Sequence, residues 1–484
     1  MSACPGPAGL NTRPASRRAF LRSAGAGFGT IALASLLDRE GLLAGDAVAP
    51  RATNPLAPQA PHFAPSARNI IFLFMSGGPS HVDLFEPKPE LVRLAGQPIP
   101  DSFGAFKTRR AVAKNSLMPS RRPFHKHGQC GMDVSEFLPH IATCADDLCL
   151  LRGCHGDSVT HPESVYLMNT GSILMGRASL GAWTTYGLGT ENQNMPAFVV
   201  MPDPAGWVKG GAPAWGNGYL PATFQGTVLR TGESPILHLN TPHGISAGQQ
   251  RATVDLVNKL NRADLRAGEE DSPLAARIAA YELAFRMQTH AHDVVDLAGE
   301  SAATRKLYGL DRAVTAEFGT RCLLARRMVE RGVRFVQLYC GDTNGWDGHS
   351  DVEGNHAKLC AASDLPVAGL LKDLKSRGLL GSTLVVWGGE FGRTPMNEGG
   401  TGRDHNPHGF CMWLAGGGVR GGTIIGATDA VGLRAESEKT HVHDIHATLL
   451  HLLGMDHTRL TYRHNGRDER LTDVSGEVIR KALA

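Results

Sequence analysis

Short apolar runs, separated by longer stretches of mixed polarity, organise this chain. Asn69–Met75, Leu148–Arg152, Ala197–Met201, Val333–Tyr339, Thr383–Trp387 and Phe410–Ala415 are nearly continuous in apolar residues. Runs of that length predict strands buried on both faces. Pro273–Leu297, Val314–Glu330, His356–Lys375 and His443–Leu453 place charged residues between apolar ones at helical spacing. Gly332, Gly378 and Gly454 follow three of them as stops. Strands alternating with helices predict an α/β fold with a mostly parallel sheet and helices on both faces. Residues 202–250 are rich in Gly, Pro and Asn without periodicity, and predict long loops of the kind that often carry function. No internal repeat is present.

Composition changes this picture little, except at the N-terminus. The 484 residues are 42% hydrophobic and 20% charged, ordinary for a globular protein, and the 58 glycines suit many tight loops. The net charge of +3 comes largely from five arginines in residues 1–49, so the remainder offers no electrostatic case for nucleic-acid binding. Ser16-Arg17-Arg18-Ala19-Phe20-Leu21-Arg22 matches a twin-arginine export signal, and the weakly apolar Ser23–Leu37 behind it is too short for a stable membrane span. The expected organisation is a signal region over 1–49, a Pro/Ala-rich linker over 50–68 and one domain over 69–484. The expected location is periplasmic or extracellular. Of the nine cysteines, Cys4 lies in the signal region. Cys130, Cys144, Cys149 and Cys154 are loosely clustered; no spacing marks a structural zinc site, and an oxidising compartment leaves a disulfide among these four open.

Ligand-type residues gather in loops beside the predicted strands. Trp346-Asp347-Gly348-His349 follows one strand, Glu390-Phe391-Gly392-Arg393 follows another, and Arg403-Asp404-His405-Asn406-Pro407 precedes a third. Open α/β sheets bind ligands beyond the carboxyl ends of their strands. Carboxylates and imidazoles converging there suit a divalent ion, Zn²⁺, Mn²⁺, Mg²⁺ or Ca²⁺. Asp347, His349 and His405 are the expected ligands of one ion. Glu390, with Asp83 or His81, is expected to supply a second site. Arg393 and backbone N–H groups near Ser80 would hold a substrate anion. Around the predicted helix start at Pro162, Thr160 is the expected nucleophile, with Ser164 next and His161 between them. His443 and Asp444 open the last helix and would line the site, whereas His446, His451 and the Thr289-His290-Ala291-His292-Asp293 stretch are expected to serve packing or surface. Against each assignment stands a simpler reading, in which the residue only caps a helix or ties down a loop.

The chain resembles the exported bacterial family called domain of unknown function 1501. The resemblance rests on Phe85-Glu86-Pro87-Lys88-Pro89, Tyr281–Gln288, Ala325-Arg326-Arg327 through Val333–Gln337, Trp346-Asp347, Gly388–Pro395, Gly402–Pro407 and Asp444–Thr448. It implies the alkaline-phosphatase and sulfatase type of three-layer α/β/α sandwich, and hydrolysis of phosphate or sulfate esters at two metal ions. Three positions depart from the pattern the resemblance implies. Ser76-Gly77 stands where an Asp-Gly would supply a ligand, His161 where a nucleophile would stand, and Phe391 where an Asp-His pair would place its histidine. The function expected is an exported metal-dependent ester hydrolase acting on a small-molecule or polysaccharide ester. The competing expectation is a binding or structural protein that keeps the fold without the chemistry. No pattern specifies an oligomeric state.

Overall fold

The computed structural model describes residues 54–230, 244–264, 272–290 and 292–484. The region 1–49, in which a twin-arginine signal is expected, with Cys4, residues 50–53 of the linker, residues 231–243 of the loop insertion, and the side chains of His290 and His292 lie outside the described residues.

Among the described residues, nine strands form the main sheet: β1 (Asn69–Met75), β2 (Leu148–His155), β3 (Phe198–Met201), β4 (Thr227–Val228), β5 (Phe335–Cys340), β6 (Thr383–Gly388), β7 (Phe410–Ala415), β8 (Thr423–Ile425) and β9 (Thr440–His441). Their order is β8-β2-β7-β6-β1-β5-β3-β4, with β9 also beside β2. β1 lies at the centre, parallel to β5 with Phe72 opposite Gln337, and parallel to β6 with Phe72 opposite Val386. β7 runs antiparallel to both β2 and β6. The apolar run seen as Leu148–Arg152 continues to His155, because the strand goes on to pair with Phe410 and with β9.

The alternation of side chains along β1 separates two cores. Ile71, Leu73 and Met75 pack against α3 (Ala313–Glu330) and α4 (Val352–Ser376). Ile70, Phe72 and Phe74 pack against α1 (His161–Thr170), α2 (Leu180–Leu188) and α5 (Val442–Leu452). Helices therefore cover both faces, the three-layer α/β/α arrangement that a parallel sheet needs to bury both its sides. The expected helix Pro273–Leu297 is helical over its described residues Ser272–His290 and His292–Val295. The second half of the Pro/Ala-rich linker is docked: Ser66 and Ala67 donate to the Leu452 carbonyl and His62 to that of Gly454. The eight described cysteines are all free thiols, seven of them buried, so the first cluster carries no disulfide. No described helix is long and apolar enough to cross a membrane.

His446 illustrates the cost of the second core. Its Nε2 meets the Met168 carbonyl at 2.8 Å, its Nδ1 is buried without a partner, and burial drives its pKa from 6.5 down to about 3. Between those values the unfolded chain takes up a proton that the folded chain refuses, so stability falls as pH falls through that window. A urea midpoint measured against pH is expected to be shallower by up to one proton for His446→Leu than for wild type between pH 6.5 and about 3. Equal slopes would contradict a neutral buried imidazole.

Candidate metal centre

Because β1, β5 and β6 are parallel, their carboxyl ends share one edge of the sheet, and the loops that follow them meet there. Ser76-Gly77-Gly78 after β1 is the hub of this meeting. The Ser76 carbonyl accepts from Trp346 N–H, and Gly77 N–H donates to both Glu390 oxygens at 3.0 and 3.1 Å. Gly77 has φ +107°, and a Cβ there would stand 2.5 Å from the Asn344 carbonyl and 2.8 Å from Asp347 N, so only glycine admits this packing. The first loop thus orders its neighbours with backbone groups.

Around Asp347 three histidines converge. Asp347 Oδ2 lies 3.0 Å from His161 Nε2, and Oδ1 lies 2.8 Å from His349 Nε2 and 3.1 Å from His405 Nε2. The His349 and His405 Nε2 atoms are 3.1 Å apart. His161 comes from the first position of α1, which begins after Thr160 and carries Pro162 in its first turn. His405 comes from a buried hairpin, Gly392–Glu398 paired with Gly402–Asn406, in which it sits opposite Arg393. His161, Asp347, His349 and His405 form a candidate metal-holding group.

The far side of each ring is fixed. His161 Nδ1 donates to Glu390 Oε1 at 2.6 Å, His349 Nδ1 to Glu398 Oε2 at 2.6 Å, and His405 Nδ1 to the Val159 carbonyl at 2.6 Å. A carbonyl can only accept, so the His405 proton sits on Nδ1, and burial, which drives its pKa to about 3, keeps the ring neutral. Its Nε2 lone pair then faces a carboxylate oxygen with no hydrogen between them. Two acceptors 3.1 Å apart repel unless a cation lies between them. His161 Nε2 is likewise buried without a hydrogen-bond partner. Imidazoles whose outer nitrogen is held by a carboxylate or carbonyl, and whose inner nitrogen is turned to a shared point, have the arrangement of metal ligands with their outer partners. The residues present therefore fit a divalent ion. Phe391, standing where the family resemblance implies a histidine, stacks on His405 at 4.6 Å and packs on His161 at 4.8 Å, holding both rings in place.

Two cations also reach Asp347. Arg393 Nη2 donates to Oδ1 at 2.7 Å and Lys209 Nζ to Oδ2 at 2.8 Å. Burial works against the Asp347 carboxylate, but the buried Arg393 guanidinium bonded to it favours the ionised form, and its pKa lies well below the usual range. Arg393 is fully buried and also donates to the carbonyls of Gly77, Gly78 and Arg403, so its fork positions Asp347 instead of standing open to a substrate anion. Lys209, with 26% of its side chain exposed, is the cation that faces solvent.

Other expected residues fall elsewhere. Asp83 is buried against Arg403 and accepts from the Ser80 hydroxyl, and His81 Nε2 meets the Gly432 carbonyl; neither belongs to a ligand group among the described residues. Glu390 engages His161 and Gly77 with both oxygens, which places it behind a ligand and not with Asp83 in a second site. The Ser80 amide donates to His356, so it is not free for an anion. Ser164 is buried and donates its hydroxyl to the Ser158 carbonyl, while the half-buried Thr160 hydroxyl lies 3.2 Å from that of Ser158. His443 meets the Gly171 carbonyl and Asp444 caps its own helix, away from the three histidines. A further group, His349, Glu398 and Asp404, adjoins the first through His349. Sequence reasoning passed over Lys209 and Glu398. The only signal for Lys209 was its place in the aperiodic Gly/Pro-rich segment.

Exchanging Glu390 for Gln keeps an acceptor for His161 but sets an amide NH₂ near Gly77 N–H. Metal affinity, read by competition with a chelator, is expected to fall about 10–100-fold; an unchanged affinity would separate Glu390 from the centre.

Fold and cluster together define an α/β/α protein with a candidate His/Asp metal centre at the carboxyl edge of its sheet. The chain belongs to the family described as "Protein of unknown function (DUF1501)", whose model matches residues 67–483. No curated protein matches it by sequence. Among solved structures it is similar to the lipoteichoic acid synthase LtaP from Listeria monocytogenes, at 9% identity and a TM-score of 0.35, over 89% of this chain and 80% of that one. It is similar to the PsFucS1 sulfatase from Pseudoalteromonas sp. at 12% identity and a TM-score of 0.33, over 88% and 71%. A TAB5 alkaline phosphatase mutant matches at 11% identity and a TM-score of 0.33, over 81% and 99%. Scores this low carry no argument about chemistry, which rests on the site itself.

Proposed function

We propose that this protein is a metal-dependent hydrolase of phosphate or sulfate esters, exported by the twin-arginine route. The observation that carries the proposal is the His405 lone pair, turned with those of its neighbours onto Asp347 while the outer ring nitrogens are held. Three imidazoles and one carboxylate favour Zn²⁺ or a similar transition ion over Mg²⁺ or Ca²⁺, which prefer oxygen. Such an ion supplies Lewis acidity and lowers the pKa of water. Asp347, His161, His349 and His405 would hold it. Arg393 fixes the Asp347 carboxylate, and Glu390, Glu398 and the Val159 carbonyl orient the rings. Lys209 is then the group that leaves Asp347 and neutralises the ester anion. Water is the attacking group in this reading, because the Ser164 hydroxyl is buried and donated and the Thr160 hydroxyl is engaged with that of Ser158. A small-molecule or polysaccharide ester is the substrate class.

A non-catalytic reading is favoured by one observation: Asp347 already has two cationic partners, as a purely structural ion pair would. Metal analysis of the purified protein, with aryl-phosphate and aryl-sulfate hydrolysis measured on the same sample, decides between them. Bound metal with hydrolysis supports the enzyme, bound metal without hydrolysis supports the non-catalytic reading, and absence of both overturns the proposed hydrolase.

A further inference from the structure

The segment that delivers Lys209 also carries an exposed aromatic surface. Gly206 is packed against the loop that leads to Asp347: a Cβ there would stand 2.7 Å from Thr343 Oγ1. Val208 is buried, Lys209 reaches Asp347, and the Gly210 carbonyl accepts from Tyr166 of α1, the helix that begins with His161. Residues 206–210 are therefore anchored on both sides to elements that build the site. Trp207 stands in the middle of this anchored stretch and is 53% exposed. One face of its indole stacks on the buried Trp215 at 5.6 Å and 22°, and Trp215 in turn packs on Tyr339 of β5 at 5.7 Å. With one face covered and half the surface open, the second face of the indole looks to solvent.

A flat aromatic plate held rigid by a second tryptophan costs little entropy to use. It lies two residues from an ammonium that faces the centre. An acyclic ester has no flat face to lay on it. A pyranose ring does, since its axial C–H bonds form an apolar patch about the size of one indole, while its anionic ester group would reach Lys209. We infer that Trp207 is a sugar-stacking residue and that the esters this site accepts are carried on pyranose rings. This inference rests on the ester-hydrolase reading above.

The test uses the zinc-loaded full chain with glucose phosphate and glycerol phosphate, and with the corresponding sulfates. Binding is measured by calorimetry, and hydrolysis separately. For Trp207→Ala, binding of the glucose esters is expected to weaken about tenfold, with the glycerol esters unchanged. Trp207→Phe, which keeps a flat ring, is expected to stay within about threefold of wild type. Equal effects on both ester classes, no effect on either, or a wild type that does not bind the glucose esters would each overturn the stacking role. If the wild type hydrolyses neither class but shows the Trp207-dependent difference in binding, the platform stands and the hydrolase reading falls. If both classes are hydrolysed with no dependence on Trp207, the hydrolase reading stands and the platform falls.

Discussion

Asp347→Asn is expected to lose its metal, and with it all ester hydrolysis that depends on the ion. Asp347 is the only carboxylate among the four residues that converge, and both its oxygens lie within 3.1 Å of ligand-type nitrogens. Loss of an outer partner alone costs about 10–100-fold in affinity, and loss of the anionic ligand is expected to exceed that. Asparagine keeps an oxygen for the buried Arg393, and the partly exposed Lys209 can turn to solvent, so the fold is expected to persist. Thermal unfolding with and without a chelator separates a metal role from a salt-bridge role. A bound ion at 1,000 times its dissociation constant stabilises a protein by about 4 kcal/mol. The chelator is therefore expected to lower the wild-type midpoint and leave that of Asp347→Asn unmoved. A chelator that moves neither, with the variant less stable than wild type, would reduce the cluster to an ion pair with Arg393 and Lys209.

The second large effect lies behind the site. Arg403 is fully buried, and donates to Asp83 at 2.8 and 3.2 Å and to the carbonyls of Met118, Thr394 and Pro395. Burial disfavours the Asp83 carboxylate, but the Arg403 charge outweighs it and holds the pKa below the ordinary value. Arg403→Met leaves that carboxylate buried without its partner, together with three carbonyls. It is expected to cost about 3–5 kcal/mol in denaturant unfolding. Asp83→Asn tests the same pair from the other side and also the ligand role expected for Asp83. It is expected to destabilise the protein while metal content per folded molecule stays at the wild-type level. A fall in metal content would return Asp83 to the centre.

The strands and the edge of the sheet where the site lies were legible in the sequence for a physical reason. A strand buried on both faces must be apolar throughout, and the polar loop that follows it is then conspicuous. Asp347, His349 and His405 stand out by that contrast. What the pattern could not reveal is direction. His161 sits at a helix start, where the residue types also suit capping, and only the tertiary path turns its Nε2 toward Asp347. Glu390 has the composition of a ligand, yet it lies on the outer side of His161 because Gly77 N–H holds both its oxygens. Lys209 reaches Asp347 across 138 residues of sequence, a distance no local periodicity spans. Asp83 was drawn toward the centre by its position in the first loop, but a buried arginine from the hairpin claims it. The antiparallel course of β7 was hidden for a related reason: an apolar run carries no sign of its direction.

The central claim is that three histidines and Asp347 hold one ion, and X-ray absorption at the zinc edge of the purified, zinc-loaded protein tests it most directly. Expected are three imidazole nitrogens at about 2.0–2.1 Å and one carboxylate oxygen at about 2.0–2.2 Å, with a further light-atom position for water, a coordination that is lost in Asp347→Asn. A shell of oxygens alone, or one unchanged by that substitution, would contradict it.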